Sequence, residues 1–428
     1  MNLLNTKVGL IGWGIIGTGV SKLLLENKSL IAERSKVNFE LKWIADLDIE
    51  RDRGVSVSKK ILTQDAKQIL NDPEVSIVIE LMGGYEPALS FIKQALEHGK
   101  SVVTANKALL AKHGKELFEL AKKNNTQIRF EASVGGGIPI IKSLTEGFVG
   151  NKIEAIYGIV NGTSNFILTA MKEENADFET VLRKAQSLGY AEANPSFDID
   201  GVDSAHKLTL LASLAYGKWI PFEKIYVEGI RKVNLFDIKE AEEFGYTIKL
   251  LAISKLINNH IQVRVHPTFV PNHSPLATVK GAFNAIYTHG DFVGESLQYG
   301  LGAGEKATAS AVIADLVDVA LKHESLGINF DDGKRYAIEN IHDLVCKHYL
   351  RIFALDEPGV LAKITGILGE NSISIESLDQ RGKPVSGLIP VVIMTHKALE
   401  SRVAKAQQEI DQLIQTDHSS VRIRVEEF

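Results

Sequence analysis

A glycine-rich turn near the N-terminus constrains the fold of this chain more than any other feature. It follows an apolar run over Lys7–Ile11 and precedes a helical pattern over Ile16–Glu26. Glycines at this spacing permit a tight turn and a close backbone approach to a pyrophosphate at a helix N-terminus. Because the turn sits at the first predicted strand, the pattern predicts a dinucleotide site rather than a structural turn. Its candidate cofactor contacts are Gly12, Trp13, Gly14, Ile15, Ile16 and Gly17.

Short apolar runs alternate with helical patterns as far as Glu131, which is typical of a parallel sheet with crossover helices. The predicted strands are Lys7–Ile11, Glu40–Asp46, Ser76–Glu80, Ser101–Thr104 and Gln127–Glu131. The predicted helices are Ile16–Glu26, Asp65–Leu70, Pro87–His98 and Lys107–Lys123. Residues 1–134 are therefore predicted to form an α/β domain with a doubly wound parallel sheet of Rossmann type.

The rest of the chain predicts two further domains. Residues 135–320 mix a strand at Lys152–Val160 with several helices and later strand-like runs, which indicates an α+β domain with its own core. Near its end a glycine-rich sequence containing Gly302 begins a further helix and could return to the nucleotide site. Residues 321–346 are a predicted linker, and residues 347–428 read strand, helix, strand, strand, helix, strand.

Composition excludes several classes of protein. With 428 residues and 45% hydrophobic content, the chain suits about three packed domains. Its 48 Lys and Arg against 53 Asp and Glu give a net charge of −5, which offers no basic field for nucleic acid or anionic lipid. A single cysteine, Cys346, suits a reducing compartment. The apolar run Val8–Val20 is shorter than the roughly 18 apolar residues of a membrane span, so a cytoplasmic protein with no membrane partner is predicted.

Polar residues at the ends of the predicted strands are candidates for cofactor binding. Asp46 ends the second strand and could accept hydrogen bonds from an adenosine ribose, which favours NAD. Its separation from Gly17 is longer than usual, so the alternative is a solvated turn residue. Arg51 and Arg53 follow closely and could bind the 2′-phosphate of NADP, so the phosphate state stays open. Thr104 and Lys107 lie where the fourth strand ends, at the edge where ligands collect in open α/β sheets. Lys107 could equally be an ordinary exposed residue in the first turn of a helix.

The most informative stretch surrounds one lysine with carboxylates. Asp203 and Lys207 are four residues apart and share one face of a predicted helix, and Glu192 and Asp198 precede them on a loop. A calcium loop is excluded, because Thr209 stands where a bidentate Glu would be required. A surface ion pair is disfavoured because neighbouring leucines indicate a largely buried helix.

Residues 131–138, Glu-Ala-Ser-Val-Gly-Gly-Gly-Ile, form a third candidate site. A carboxylate with backbone carbonyls beside three glycines could bind a hard monovalent cation, since such ions prefer oxygen ligands. The alternative is a flexible interdomain hinge, and the residues alone favour the hinge.

At these motifs the chain resembles the homoserine dehydrogenases. The match includes Gly-Tyr-Ala-x2-Asn-Pro-x2-Asp-Ile-x-Gly-x-Asp-x3-Lys over residues 189–207, with supporting matches at 12–17, 81–88, 104–111, 131–139 and 161–168. The tail from about residue 347 resembles an ACT domain, a module that commonly binds amino acids. The resemblance implies reversible reduction of L-aspartate 4-semialdehyde to L-homoserine with NADH or NADPH, on the route to threonine, methionine and isoleucine.

The resemblance also implies roles for individual residues. Lys207 would donate a proton to the aldehyde oxygen, and Glu192 would bind the substrate ammonium group. Asp198 and Asp203 would orient substrate and lysine. The nicotinamide site would be lined by Thr104 and Lys107, and Gly302 would be a further cofactor contact. A sodium ion would be held by Glu131 and by backbone oxygens of Val134, Gly136 and Ile138, which reverses the preference for a hinge.

The expected partners follow from the same resemblance. They are the substrate, a second copy of the chain in a homo-oligomer and L-threonine at the turn Asp356–Gly359 of the ACT domain. A semialdehyde dehydrogenase acting through a thioester would need a cysteine nucleophile, and Cys346 lies in the predicted linker. A non-catalytic amino-acid sensor with a degenerate nucleotide domain is the other alternative, and the intact Lys107, Glu192, Asp203 and Lys207 count against it.

Overall fold

The computed structural model describes residues 3–322, 330, 336–380, 388–414 and 420–428. The chain divides into two compact units. The first comprises Met1–Gly162, Ala205–Glu223 and Phe283–Lys334, and the second comprises Thr163–Ser204, Lys224–Ala282 and Arg335–Phe428. Each unit is therefore built from segments that are distant in the sequence. The domain boundaries 1–134 and 135–320 stay predictions.

The first unit contains a six-stranded parallel sheet, as the doubly wound prediction requires. Its strands in chain order are Leu4–Ile11, Val37–Ala45, Leu62–Thr63, Ile77–Glu80, Ser101–Thr104 and Ile128–Arg129. Their spatial order is third, second, first, fourth, fifth, sixth. The order reverses at the first strand, where Ile11 pairs with Ala45 on one side and Glu80 on the other. The short edge strand Leu62–Thr63 was missed by the sequence prediction.

Helices cover this sheet and share its core. The helices of the first unit are Ile15–Glu26, Lys28–Ser35, Lys67–Asn71, Ala88–Glu97, Lys107–Lys123, Ile140–Lys142 and Glu305–Ala320. Helix Glu305–Ala320 packs so closely on the first helix that a Cβ at Gly19 would lie 2.6 Å from the Glu305 side chain. Its Val312 and Leu316 belong to the same hydrophobic core as Leu10. The glycine-rich sequence before this helix thus returns to the nucleotide-binding domain, as predicted.

Three further strands of the first unit pair with one another in antiparallel fashion. They are Ile153–Ile159, Phe283–Gly290 and Gly294–Leu301, with the second strand in the middle. The helix Val202–Tyr216 contributes residues to both units.

The second unit has a mixed sheet flanked by helices. Its strands are Tyr226–Val227, Tyr246–Ile257, His260–Pro271, Ala337–Ile338, Val345–Leu355, Ile375–Gln380, Leu388–Thr395, Ala398–Leu399 and Val421–Val425. Its helices are Gly162–Glu174, Phe178–Ser187, Ser196–Ile199, Leu235–Glu243, Val360–Glu370 and Glu400–Ile414. The ACT elements follow the predicted order, and they enclose a core that includes Ile352, Ile364 and Val403.

The last strand joins the ACT segment to the middle of the chain. Val421–Val425 runs antiparallel to Val345–Leu355 and parallel to His260–Pro271, with Arg424 opposite Thr268. The predicted linker 321–346 lies partly outside the described residues. In its described part, Ala337–Ile338 pairs with His260–Pro271. The ACT sheet is therefore continuous with the strands that precede it. Among the described residues, no helix is long and apolar enough to cross a membrane.

Candidate active site

The three glycines of the N-terminal turn have different structural roles. Gly12 adopts φ +95°, and a Cβ there would lie 2.7 Å from the backbone carbon of Leu81. A Cβ at Gly17 would lie 2.2 Å from the Gly12 oxygen. At Gly14 a Cβ would meet none of the described atoms within 4 Å. Packing therefore requires the outer two glycines, while Gly14 leaves space for a ligand at the N-terminus of helix Ile15–Glu26.

A cavity of about 250 Å³ lies at this helix N-terminus. Its lining residues are Trp13, Gly14, Ile15, Thr18, Lys22, Arg51, Asp52, Arg53 and Glu305. The carboxylate of Asp46 accepts hydrogen bonds from the Trp13 N–H at 2.6 Å and from Arg53 at 3.3 Å. The Arg53 guanidinium also lies 4.5 Å from the centre of the Trp13 ring. Asp46 thus stabilises the glycine-rich turn by hydrogen bonding. The basic side chains of Lys22, Arg51 and Arg53 line the cavity.

Glu80 contacts the candidate cofactor residue Thr104, and the sequence analysis did not assign it a role. It is buried and accepts hydrogen bonds from Thr104 Oγ1 at 2.6 Å and from the Met82 N–H at 2.8 Å. Burial raises the pKa of Glu80, and the Thr104 hydroxyl opposes that shift. Glu80 therefore joins the carboxyl ends of the fourth and fifth strands. The sequence feature that could have identified Glu80 is its position as a carboxylate at the end of an apolar strand.

Lys107 lies at the start of its helix, at this same edge. Asn106 caps helix Lys107–Lys123 by accepting a hydrogen bond from the Leu109 N–H at 3.2 Å. The Asn106 side chain also donates to the Gly84 carbonyl at 2.7 Å. The cap and this second bond fix where the helix begins, so Thr104 and Lys107 lie at the carboxyl edge of the sheet as predicted.

Lys207 is buried on helix Val202–Tyr216. Its ammonium group donates a hydrogen bond to the backbone oxygen of Val160 at 2.6 Å. Val160 directly follows strand Ile153–Ile159, so a fixed backbone group orients the lysine. Asp203 is buried one turn earlier on the same helix. A buried, oriented ammonium group can donate a proton to an oxygen atom that gains negative charge.

The remaining carboxylates of the motif lie in the second unit. Glu192 is exposed, and Asp198 is half-buried in the short helix Ser196–Ile199. Ser164 Oγ donates to the Asp198 backbone oxygen at 3.1 Å, which anchors the helix. Gly201, at φ +84°, ends the loop. An exposed carboxylate and a second one on an anchored backbone suit the binding of a small cationic ligand.

Glu131 is buried, and both of its carboxylate oxygens accept hydrogen bonds. The donors are the backbone N–H groups of Ile141 and Lys142, each at 2.8 Å. Burial raises the pKa of Glu131 to about 7. Its own N–H donates to Asp315 at 2.8 Å. These bonds join the Glu131 segment to Ile141, Lys142 and Asp315.

The glycines that follow Glu131 lie close to Gly302. A Cβ at Gly136 would lie 2.6 Å from the Gly302 carbonyl carbon, and a Cβ at Gly302 would overlap the Asn284 side chain. Val134 and Ile138, which precede and follow these glycines in the sequence, are both buried. A carboxylate together with backbone oxygens is a donor set that suits a hard monovalent cation.

Cys346, His348 and Glu400 are close enough to share a metal ion within the part of the chain that the structure describes. Glu400, however, already accepts hydrogen bonds from His348 at 2.9 Å and from Arg424 at 2.5 and 3.0 Å. Burial raises the pKa of the Cys346 thiol to about 12. A divalent cation would have to compete with the Arg424 guanidinium for both oxygens of Glu400, so this cluster does not suit a metal.

The parallel sheet with its glycine turn and the buried lysine together define a nicotinamide-dependent dehydrogenase. Family models agree: the homoserine dehydrogenase NAD-binding domain matches residues 12–131, homoserine dehydrogenase 139–317 and the ACT domain 348–415. The chain belongs to the homoserine dehydrogenase family. It is an NAD(P)-dependent oxidoreductase with a C-terminal ACT domain, which confirms the resemblance and leaves the non-catalytic sensor without support.

Individual relatives match between three quarters and the whole of the chain. A homoserine dehydrogenase of Pseudomonas aeruginosa is 42% identical over 433 residues, covering 99% of both chains. The crystal structure of a homoserine dehydrogenase from Thiobacillus denitrificans has a TM-score of 0.92 and 42% identity, and the match covers 100% of this chain and 99% of that one. The structure of a hyperthermophilic archaeal homoserine dehydrogenase mutant in complex with NADPH has a TM-score of 0.65 and 28% identity. This match covers 76% of this chain and 100% of that one.

Proposed function

We propose that Lys207 is the proton donor in the reversible reduction of L-aspartate 4-semialdehyde to L-homoserine. The nicotinamide cofactor, when bound, supplies the hydride that adds to the aldehyde carbon. Negative charge then develops on the aldehyde oxygen, and the Lys207 ammonium neutralises it by transferring a proton. The observation that carries this role is the 2.6 Å hydrogen bond from the buried Lys207 to the Val160 carbonyl, which gives the ammonium one orientation.

We further propose that three carboxylates prepare this step. Glu192 pairs with the substrate ammonium group, and its exposure is consistent with a role in binding ligand from solvent. Asp198 orients the substrate from its anchored helix, and Asp203 orients Lys207 from one turn away on the same helix. The direct experiment is to measure NADPH and NADH oxidation by the purified protein with aspartate semialdehyde. No oxidation of either cofactor would contradict the proposed reaction.

The lining of the cavity supports NADP as the preferred cofactor. Lys22, Arg51 and Arg53 are cations that can bind a 2′-phosphate, while Asp46, the group that would accept ribose hydroxyls, is hydrogen-bonded within the turn. The pyrophosphate would lie on the N–H groups after Gly14, near the glycine turn of residues 12–17. The nicotinamide end would meet Thr104, Lys107 and Gly302.

A sodium ion held by Glu131 and the backbone oxygens of Val134, Gly136 and Ile138 is part of the proposal. Its support is the burial of the Glu131 carboxylate in the same short segment as Val134, Gly136 and Ile138, whose backbone oxygens could complete the ligand set. A bound cation would offset the negative charge of the carboxylate. The test compares the melting temperature in a sodium salt with that in a salt of a large organic cation at equal ionic strength. Equal melting temperatures would contradict the proposed sodium site.

A homo-oligomer is proposed from an apolar face on the three antiparallel strands of the first unit. Strand Gly294–Leu301 exposes Leu297, Tyr299 and Leu301, and Phe283 stacks on Tyr299 with ring centres 4.9 Å apart. Exposed apolar strands of this kind are usually covered by a partner. A second copy would cover it, and a monomeric mass by light scattering would contradict this.

Regulation by L-threonine at the turn Asp356–Gly359 rests on the ACT domain. The turn leads directly into helix Val360–Glu370, where backbone N–H groups suit a carboxylate. Titration of threonine against the homoserine-dependent rate tests this role. We place the enzyme in the cytoplasm because its single cysteine, Cys346, suits a reducing compartment, and cell fractionation tests that location.

A further inference from the structure

We infer that Arg424 of the ACT domain positions the substrate loop through Glu228. The substrate loop is residues 192–201, which carry Glu192 and Asp198, and residues 226–231 are here named the bridge segment. The inference rests on the proposed function, because that function assigns substrate binding to this loop. All of the groups involved belong to the second unit.

Arg424 contacts the bridge segment directly. It lies in strand Val421–Val425 and is almost fully buried. Its Nη1 donates to Glu228 Oε2 at 2.9 Å, and its Nη2 donates to the Tyr226 hydroxyl at 3.1 Å. The Tyr226 hydroxyl in turn donates to the same Glu228 oxygen at 3.0 Å. The three side chains form a closed triangle, so Glu228 has little freedom to move.

The other side of the same guanidinium binds the ACT helix. Arg424 Nε and Nη2 donate to the two oxygens of Glu400, at 3.0 and 2.5 Å, and Glu400 begins helix Glu400–Ile414. Arg422 and His348 also contact Glu400, at 3.1 and 2.9 Å. A guanidinium has five donors in a planar fork, so it can bind two carboxylates at once, which a lysine cannot do with the same geometry.

The bridge segment then contacts the substrate loop with three consecutive residues. The Ile230 N–H donates to the Ile199 oxygen at 2.8 Å. A Cβ at Gly229 would lie 2.2 Å from that same oxygen, so the two backbones touch. Arg231 binds both oxygens of Asp200, at 2.5 and 3.2 Å. In the bridge segment the contact begins at Gly229, directly after Glu228. In the substrate loop it begins at Ile199, directly after Asp198. A shift of Glu228 is therefore transmitted to the backbone that carries Asp198.

A second buried ion pair provides a matched control. Arg351 of the ACT strand Val345–Leu355 binds Asp237 at 2.7 and 3.2 Å, and Tyr349 donates to Asp237 at 3.0 Å. This pair also joins the ACT segment to the middle of the chain. Its partners lie outside the bridge segment, so its loss should lower stability without displacing the substrate loop.

The test compares Glu228→Gln with Asp237→Asn in the full chain. For Glu228→Gln we expect a KM for homoserine that is roughly tenfold higher, since misplaced binding groups weaken productive binding. Its kcat should stay within about twofold, because the proton donor is unchanged. Arg424→Lys should raise KM similarly, and the double variant should be no worse than either single one. For Asp237→Asn we expect a lower melting temperature and an unchanged KM.

Hydrogen exchange supplies a readout that does not depend on activity. Amides of residues 192–201 should exchange faster in Glu228→Gln than in Asp237→Asn, both measured without ligand. Unchanged exchange and KM in Glu228→Gln, or equal changes in both variants, would overturn the inference. If the wild-type protein had no homoserine-dependent activity but the two variants still differed in exchange, the proposed function would be contradicted. The positioning role of Arg424 and Glu228 would then still stand.

Discussion

Replacing Lys207 by methionine tests the proton donor most directly. Methionine keeps a long apolar side chain in the buried position and removes every N–H group. General acid help of this kind contributes about 10²–10⁴ in rate, or about 3–5 kcal/mol of barrier. We therefore expect Lys207→Met to lower kcat by two to four orders of magnitude, with little change in the Kd for NADPH.

The structure also sets the stability cost of this change. The Val160 oxygen would lose the donor that now lies 2.6 Å away. A buried carbonyl left without a partner costs about 1–3 kcal/mol, so the variant should unfold at lower urea concentration yet remain folded under assay conditions. The assays are steady-state turnover with homoserine, NADPH binding by fluorescence titration and urea unfolding of the same preparations.

Lys249→Met is the matched control for this experiment. Lys249 is also a buried lysine, and it donates to the Val279 carbonyl and, at 3.0 Å, to Asn165 Oδ1. The chemical change is therefore the same, but the site has no role in the proposed reaction. Turnover within about tenfold of wild type in Lys207→Met, or an equal loss in Lys249→Met, would refute the assignment of Lys207 as proton donor.

The other predictions concern charge. Burial lowers the pKa of Lys249 from 10.5 to about 7, so between these values the unfolded chain binds more protons and stability rises with pH, by roughly 4–5 kcal/mol in full. A pH-independent difference in unfolding free energy between wild type and Lys249→Met would contradict this. Glu192→Gln should raise the KM for homoserine about tenfold or more, because a charge-assisted pair is lost, while kcat changes less; an unchanged KM removes Glu192 from the site. Arg53→Met should raise the KM for NADPH more than that for NADH, and equal effects on both would argue against phosphate binding.

Local features of the sequence were sufficient to predict the nucleotide-binding domain. Helix Lys107–Lys123 and strand Ser101–Thr104 have the predicted bounds, because periodicity and capping residues act over a few neighbours. The short edge strand Leu62–Thr63 and helix Lys28–Ser35 were missed, since neither has a strong apolar pattern. The sequence also predicted that Asp203 and Lys207 share one face of a helix, because residues on one helix face recur at a fixed spacing.

Contacts between distant segments depended on the tertiary structure. Arg424 and Glu228 are 196 residues apart, and no periodic pattern links them. Strand Val421–Val425 reads as an ordinary ACT strand, yet its second edge pairs with His260–Pro271. Glu80 reaches Thr104 only because two parallel strands end at the same edge of the sheet. Strand pairing and buried ion pairs are selected by the shape and charge that the rest of the fold presents, so a linear pattern does not encode which partners meet.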